Sequence, residues 1–171
     1  KKLDFILNTH HHHDHIGGNG ALKKKYNSKI IASKIDEDRI PDIDIKLSEG
    51  EFFKFGKTDF ETIFIPGHTK GHIAFYSKTE RIIFTGDTLF VGRTGRTISK
   101  GSNIKDLYKS IYDIILNLPR ETIIYPGHDY GPKRCISIGE NISLSPLLQA
   151  DDEDDFIKRM DDYEANRTIG S

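Results

Sequence analysis

All eight histidines of this 171-residue chain fall in three places: five between His10 and His15, two at His68 and His72, and one at His128. Each place directly follows a short apolar run with the composition of a buried strand. Ile6-Leu7-Asn8-Thr9 leads to His10, Ile63-Phe64-Ile65 to Pro66-Gly67-His68, and Ile123-Ile124-Tyr125 to Pro126-Gly127-His128. A fourth run, Arg81 to Thr85, ends in Gly86-Asp87. Strand ends at one edge of a sheet can converge on a point, and rigid elements hold ligands closer to a required geometry than free loops do. The chain is thereby constrained toward a fold that brings four such turns together.

The first cluster reads Thr-His-His-His-His-Asp-His from Thr9 to His15. It sits between a strand and a glycine turn rather than at a terminus, which argues against a purification tag. His10 and His12, two apart on extended chain, point the same way. Asp14 and His15 then turn to face a neighbouring position, with His11 and His13 as spacers. Imidazole combined with hard carboxylate suits zinc, iron or manganese rather than calcium or a thiophilic ion. Adding His68, Asp87 and His128 gives seven candidate metal ligands: His10, His12, Asp14, His15, His68, Asp87 and His128. His72 is expected to support or pack rather than to ligate. The single cysteine, Cys135, excludes an internal disulfide and Cys-rich zinc ligation.

Strands are expected at Asp4 to Asn8, Lys29 to Ala32, Phe52 to Phe55, Thr62 to Ile65, Ile73 to Tyr76, Arg81 to Thr85 and Thr122 to Tyr125. The apolar spacing Ile104, Leu107, Ile111, Ile115, Leu118 predicts a helix capped by Ser102 and closed by Pro119. A second helix, Asp154 to Asn166, places Phe156 and Met160 on one face, with the acidic run from Asp151 at its positive end. A third begins near Gly18 and runs to Tyr26. Together these give an α/β (α+β) fold, a mixed sheet or sheets covered by helices.

With 36% hydrophobic and 30% charged residues, the chain is expected to form a single domain over residues 1–171. The net charge of -1 gives no excess of Lys and Arg, so nucleic acid is not an expected partner. No apolar run approaches the roughly 20 residues of a spanning helix, and the opening stretch of the given sequence is not expected to be a leader. A cytoplasmic location without membrane association is the expectation, and homo-oligomerisation is left open. The chain enters an apolar run almost at once from Lys1, without a methionine, so sequence is expected upstream.

Five motifs carry a resemblance: Thr9-His10-x-His12-x-Asp14-His15, Gly67-His68-Thr69-x-Gly71-His72, Gly86-Asp87-Thr88-Leu89-Phe90, Gly95-Arg96-Thr97 and Tyr125-Pro126-Gly127-His128-Asp129-Tyr130. The chain resembles the metallo-β-lactamase superfamily, and more closely its glyoxalase II (hydroxyacylglutathione hydrolase) and persulfide dioxygenase branch. The resemblance implies an αββα sandwich with metal at one edge, its first strands lying upstream of Lys1. It implies two divalent cations, zinc first, with iron or manganese admissible. His10, His12 and His68 would hold one, Asp14, His15 and His128 the other, and Asp87 would bridge them. Asp14 and Asp87 are then the expected catalytic carboxylates.

Paired cations can activate a shared water against a carbonyl, and a thiolate leaving group needs little protonation near neutral pH. The implied activity is therefore thioester hydrolysis, with S-acylglutathione or a similar small thiol conjugate as substrate. Arg96 and Tyr130 would contact the thiol carrier, with Arg93 a third contact. Two alternatives stand beside it: a mononuclear iron persulfide dioxygenase using His10, His68 and Asp87, and a non-catalytic metal-stabilised module. Pro126-Gly127-His128, where persulfide dioxygenases have Pro-Ala-His, and Thr94 at the place of their cysteine favour the hydrolase. The short stretch after His128 departs from glyoxalase II, which continues into a larger helical domain.

Overall fold

The computed structural model describes residues 2–166. Its first sheet is parallel: β1 (Phe5–Leu7), β2 (Lys29–Ser33) and β3 (Ile45–Leu47), with Phe5 opposite Lys29 and Ile31 opposite Ile45. The second sheet follows chain order: β4 (Phe52–Phe55), β5 (Thr58–Phe64), β6 (Ile73–Ser77), β7 (Ile82–Gly86), β8 (Ile123–Pro126) and β9 (Ile136–Ser137). Strands β4 to β7 form an antiparallel meander, β8 joins β7 in parallel, and β9 closes antiparallel. Hence β5, β7 and β8 run in one direction and end on one sheet edge, where β6 begins. Three of the four turns singled out above are delivered to that edge by topology alone.

Side-chain alternation along the strands separates the layers. Ile31 of β2 joins Leu47, Phe53, Phe60, Ile73 and Phe75 between the sheets. Its neighbours Ile30 and Ala32 face the other way and pack with Ile40, Ile6 and Ile16, the last from the short helix α1 (His13–Ile16). Beside it lies α2 (Asn19–Tyr26). On the far side, Ile63, Ile83 and Ile124 of the second sheet, with Ile65 just beyond β5, pack against α3 (Ile104–Lys109), α4 (Ile138–Leu144) and α5 (Glu153–Ala165) through Leu107, Ile138, Phe156 and Met160. The layer order is helix, sheet, sheet, helix, the expected αββα arrangement. Among the described residues no helix is long and apolar enough to cross a membrane.

The helix predicted from Ser102 differs in detail. Asn103 is its cap, accepting from the backbone N–H groups of Lys105 (2.9 Å) and Asp106 (3.1 Å), while the Ser102 hydroxyl donates to the Ser99 carbonyl. An amide oxygen aimed at two orphan N–H groups satisfies the helix start better than a hydroxyl engaged upstream. After Lys109 the helix widens into a π turn at Ser110–Ile114 and ends as a 3-10 turn at Ile115–Asn117. At the widening, the Ser110 hydroxyl donates to the Pro66 carbonyl (2.6 Å), which pins the turn leading to His68.

Candidate metal centre

Beyond Leu7, the Thr9 carbonyl accepts from the Ile73 N–H (2.9 Å), tying the end of β1 to the start of β6. The chain stays extended through His12 (φ -61°, ψ 146°), then α1 turns Asp14 and His15 inward. Buried Asn8 braces this turn by donating to the His15 carbonyl (3.1 Å) and accepting from Asn19 (2.7 Å). Close approach of the two sheets depends on Gly86, whose φ is +48°. A Cβ there would collide with the Thr9 hydroxyl and lie 2.7 Å from His72 Cε1.

All seven candidate ligands come together. His12 Nδ1 lies 3.1 Å from His10 Nε2 and 3.0 Å from His68 Nε2. His128 Nε2 lies 3.3 Å from His15 Nε2 and 3.1 Å from Asp14 Oδ2. Asp87 stands between the two groups. Its Oδ1 is 3.2 Å from His15 Nε2, and its Oδ2 is 3.4 Å from His128 Nε2 and 3.8 Å from His68 Nε2. The two spacers point elsewhere: His13 is exposed, and His11 Nδ1 lies 3.2 Å from Asp36 Oδ2.

Electrostatics suit cation binding. Burial, reinforced by the neighbouring imidazoles, drives the His10 pKa far below its ordinary value. Burial likewise lowers those of His12 and His68, so all three offer neutral lone pairs near pH 7. At His15 burial pulls downward, but Asp87 and Asp14 outweigh it and the net shift is upward. Burial opposes ionisation of Asp14, yet its own backbone N–H and the adjacent His15, His128 and His12 hold its carboxyl below the usual range.

The donor set fits a metal. Asp87 Oδ1 is buried without a hydrogen bond, an arrangement that a cation would complete. The imidazole nitrogen spacings of 3.0–3.3 Å are close to the ~3.4 Å between two nitrogens held about 2.1 Å from one tetrahedral ion. Orientation is fixed from behind. His68 Nδ1 lies 2.8 Å from the Arg96 carbonyl, which makes Nδ1 the protonated nitrogen and leaves Nε2 free to donate its lone pair. His72 takes the supporting place expected of it: its Nε2 accepts the Asp87 N–H (3.1 Å), and its ring stacks on His10 at 4.6 Å.

Arg93, Arg96 and Tyr130 lie on the rim, lining a cleft of about 140 Å³ with His68, Asp87 and Phe90. The Tyr130 ring stacks on His128 at 4.8 Å. Arg93 donates to the Tyr130 carbonyl (3.0 Å) and covers its ring at 5.4 Å. Arg96 is engaged by Glu164 of α5 at 3.1 Å.

Two supporting residues escaped the sequence reading. Asn141, buried in α4, donates to the Phe90 carbonyl (2.9 Å) and accepts from the Gly92 N–H (2.8 Å), holding the loop that carries Arg93. Its signal was a polar residue between Ile138 and Ile142 on an apolar helix face. Asp36, wholly buried, sits between His11 and Arg39, whose guanidinium is 2.7 Å away. The three-residue spacing of Asp36 and Arg39 was the only trace of it. Replacing His11 with Ala is expected to leave bound metal unchanged in elemental analysis. Urea unfolding should show a loss of about 1–3 kcal/mol, because a buried carboxylate loses one of its partners. Loss of metal instead would place His11 among the ligands.

Comparison with known proteins adds an independent line. Residues 1–128, a span containing all seven candidate ligands, match a family model described as the metallo-beta-lactamase superfamily. The hydroxyacylglutathione hydrolase of Pelagibacter ubique is 42% identical over 158 residues, covering 88% of this chain and 64% of the relative. That of Thermosynechococcus vestitus is 39% identical over 150 residues, covering 87% of this chain and 56% of the relative. The chain thus spans about six tenths of the length of these curated relatives. The crystal structure of ETHE1 from Myxococcus xanthus superimposes with a TM-score of 0.85 at 30% identity, covering 98% of this chain and 71% of that one.

Proposed function

The chain belongs to the metallo-β-lactamase superfamily, and from that premise we propose that it is a metal-dependent thioester hydrolase of the glyoxalase II type. The observation that carries the reading is the placement of Asp87 between two converging groups, His10, His12 and His68 on one side and Asp14, His15 and His128 on the other. Curated relatives named hydroxyacylglutathione hydrolase support the reaction class.

The seven residues would hold two divalent cations, zinc first and iron or manganese admissible, which would supply a water of lowered pKa and polarise the thioester carbonyl. Asp87 accepts on both oxygens, so its single charge faces both groups and offsets part of their repulsion. The neutral imidazoles of His10, His12 and His68 add no charge to the site. The rings of Phe90 and Tyr130, 5.2 Å apart, form an aromatic side of the cleft. A thiol, with a reference pKa of about 8.5, departs largely as thiolate, so the described residues need not include a strong general acid. The carrier would lie along the cleft toward Arg93, Arg96 and Tyr130.

Protein supplied with zinc, iron or manganese is expected to release one thiol per acyl group from S-lactoylglutathione or a related thioester. Chelation should stop the reaction and added metal restore it. Absence of thiol release with all three metals would sink the proposal.

A further inference from the structure

His68 is carried by a turn that α3 grips at both ends. Past the end of β5 the Ile65 N–H still donates to the His72 carbonyl (3.0 Å), but Pro66, next in the chain, has no N–H to give. The carbonyls of Pro66 and Gly67 are both taken by the helix. That of Gly67 accepts from the Asn103 N–H (2.8 Å) at the start of α3, and that of Pro66 accepts from the Ser110 hydroxyl (2.6 Å) at its end. Between these two bonds Gly67, at φ +138°, lies against the middle of the helix, where a Cβ would collide with Leu107 Cα. Asn103, Leu107 and Ser110 are spaced four and three apart, which puts them on one stripe of the helix. The Pro66-Gly67 turn lies along that stripe.

The helix departs from regular geometry at the gripping residue. Ser110 is buried and opens the π turn Ser110–Ile114. A serine inside a helix has the carbonyl four residues earlier within reach of its hydroxyl. Ser110 gives its hydroxyl to Pro66 instead, 44 residues away in the chain. Widened turns of this kind are rare and recur mostly at functional sites. The His68 ring is aimed by a separate bond, from Nδ1 to the Arg96 carbonyl (2.8 Å). That bond sets the rotation of the ring, whereas the bonds from Asn103 and Ser110 set where its backbone stands.

We propose that Ser110 is a positioning residue for His68: its hydroxyl, presented by the π turn, sets the Pro66-Gly67 backbone so that His68 Nε2 stands with His10 and His12. The proposal rests on the reading of His68 as a metal ligand and not on the reaction. Zinc affinity would be measured by competition with a chromophoric chelator for the parent, Ser110→Ala, His68→Ala and the double variant. Ser110→Ala is expected to weaken, by about tenfold, the same zinc equivalent that His68→Ala weakens, the lower end of what losing a ligand's supporting contact costs. Added to His68→Ala, it should change zinc affinity by less than about twofold, because its effect passes through His68. A general loosening of the fold would add in both backgrounds. Zinc binding by Ser110→Ala within about twofold of the parent, or a tenfold loss that recurs in the His68→Ala background, would overturn the proposal. Zinc held by His68→Ala as tightly as by the parent would overturn both the proposal and the ligand assignment. None of these affinities depends on thioester cleavage, so the reaction assignment can fail while the positioning role stands.

Discussion

Asp87→Ala is expected to release bound metal and to lower turnover by at least about a thousandfold, or about 4 kcal/mol of barrier. Among the described residues Asp87 is the one carboxylate within 4 Å of ring nitrogens from both histidine groups: His15 and His128 on one side, His68 on the other. Removing it deletes a donor to both groups and the negative charge that faces them. Its backbone N–H would still reach His72, so the turn itself should persist. Asp87→Asn, which keeps size and loses charge, should fall in the same range. Elemental analysis after gel filtration, paired with kcat, checks this. Retained metal with a rate within tenfold of the parent would remove Asp87 from the bridging position.

The second large effect requires no change in any ligand. Gly127→Ala is expected to lower kcat by about a hundredfold, since a displacement of about 1 Å in reacting groups costs that much. A Cβ at this position would collide with Asp87 Oδ1 and sit 2.9 Å from His15 Cε1 and 3.1 Å from the Gly86 carbonyl carbon. Asp87 and His15 are members of the site itself, so the clash is relieved only by moving them. Gly20→Ala provides the control. Nothing lies within 4 Å of a Cβ there, and alanine in a helix favours stability by up to about 1 kcal/mol. Activity at the parent level in Gly127→Ala would mean that the ligand positions tolerate far more displacement than their spacing implies.

Much of this site was legible because its chemistry is concentrated in a few short segments. Histidines confined to strand ends pointed to the converging edge, and the alternation of His10 and His12 before a turn at Asp14 and His15 is reproduced as extended chain followed by α1. The helix bearing Phe156 and Met160 was equally readable, since thirteen residues sustain a clear periodicity. Strands β3 and β9, at three and two residues, are too short to display a period of two and exist only through their neighbours. The seven-residue α4 contains Gly139 and several polar residues, so its capping by Ser137 decides more than its propensity. The division into two sheets is a tertiary outcome that no local pattern carries. The contact of Arg96 with Glu164 joins positions 68 residues apart, and from sequence Arg96 was read only as a substrate contact.

The most direct measurement is the number of metal equivalents held per chain, taken together with the product formed when the same sample meets a thioester or a persulfide. Two equivalents, with thiol release from the thioester that proceeds without oxygen, is the predicted result. One equivalent of iron, with oxygen consumed on the persulfide and no thioester cleaved, would contradict it.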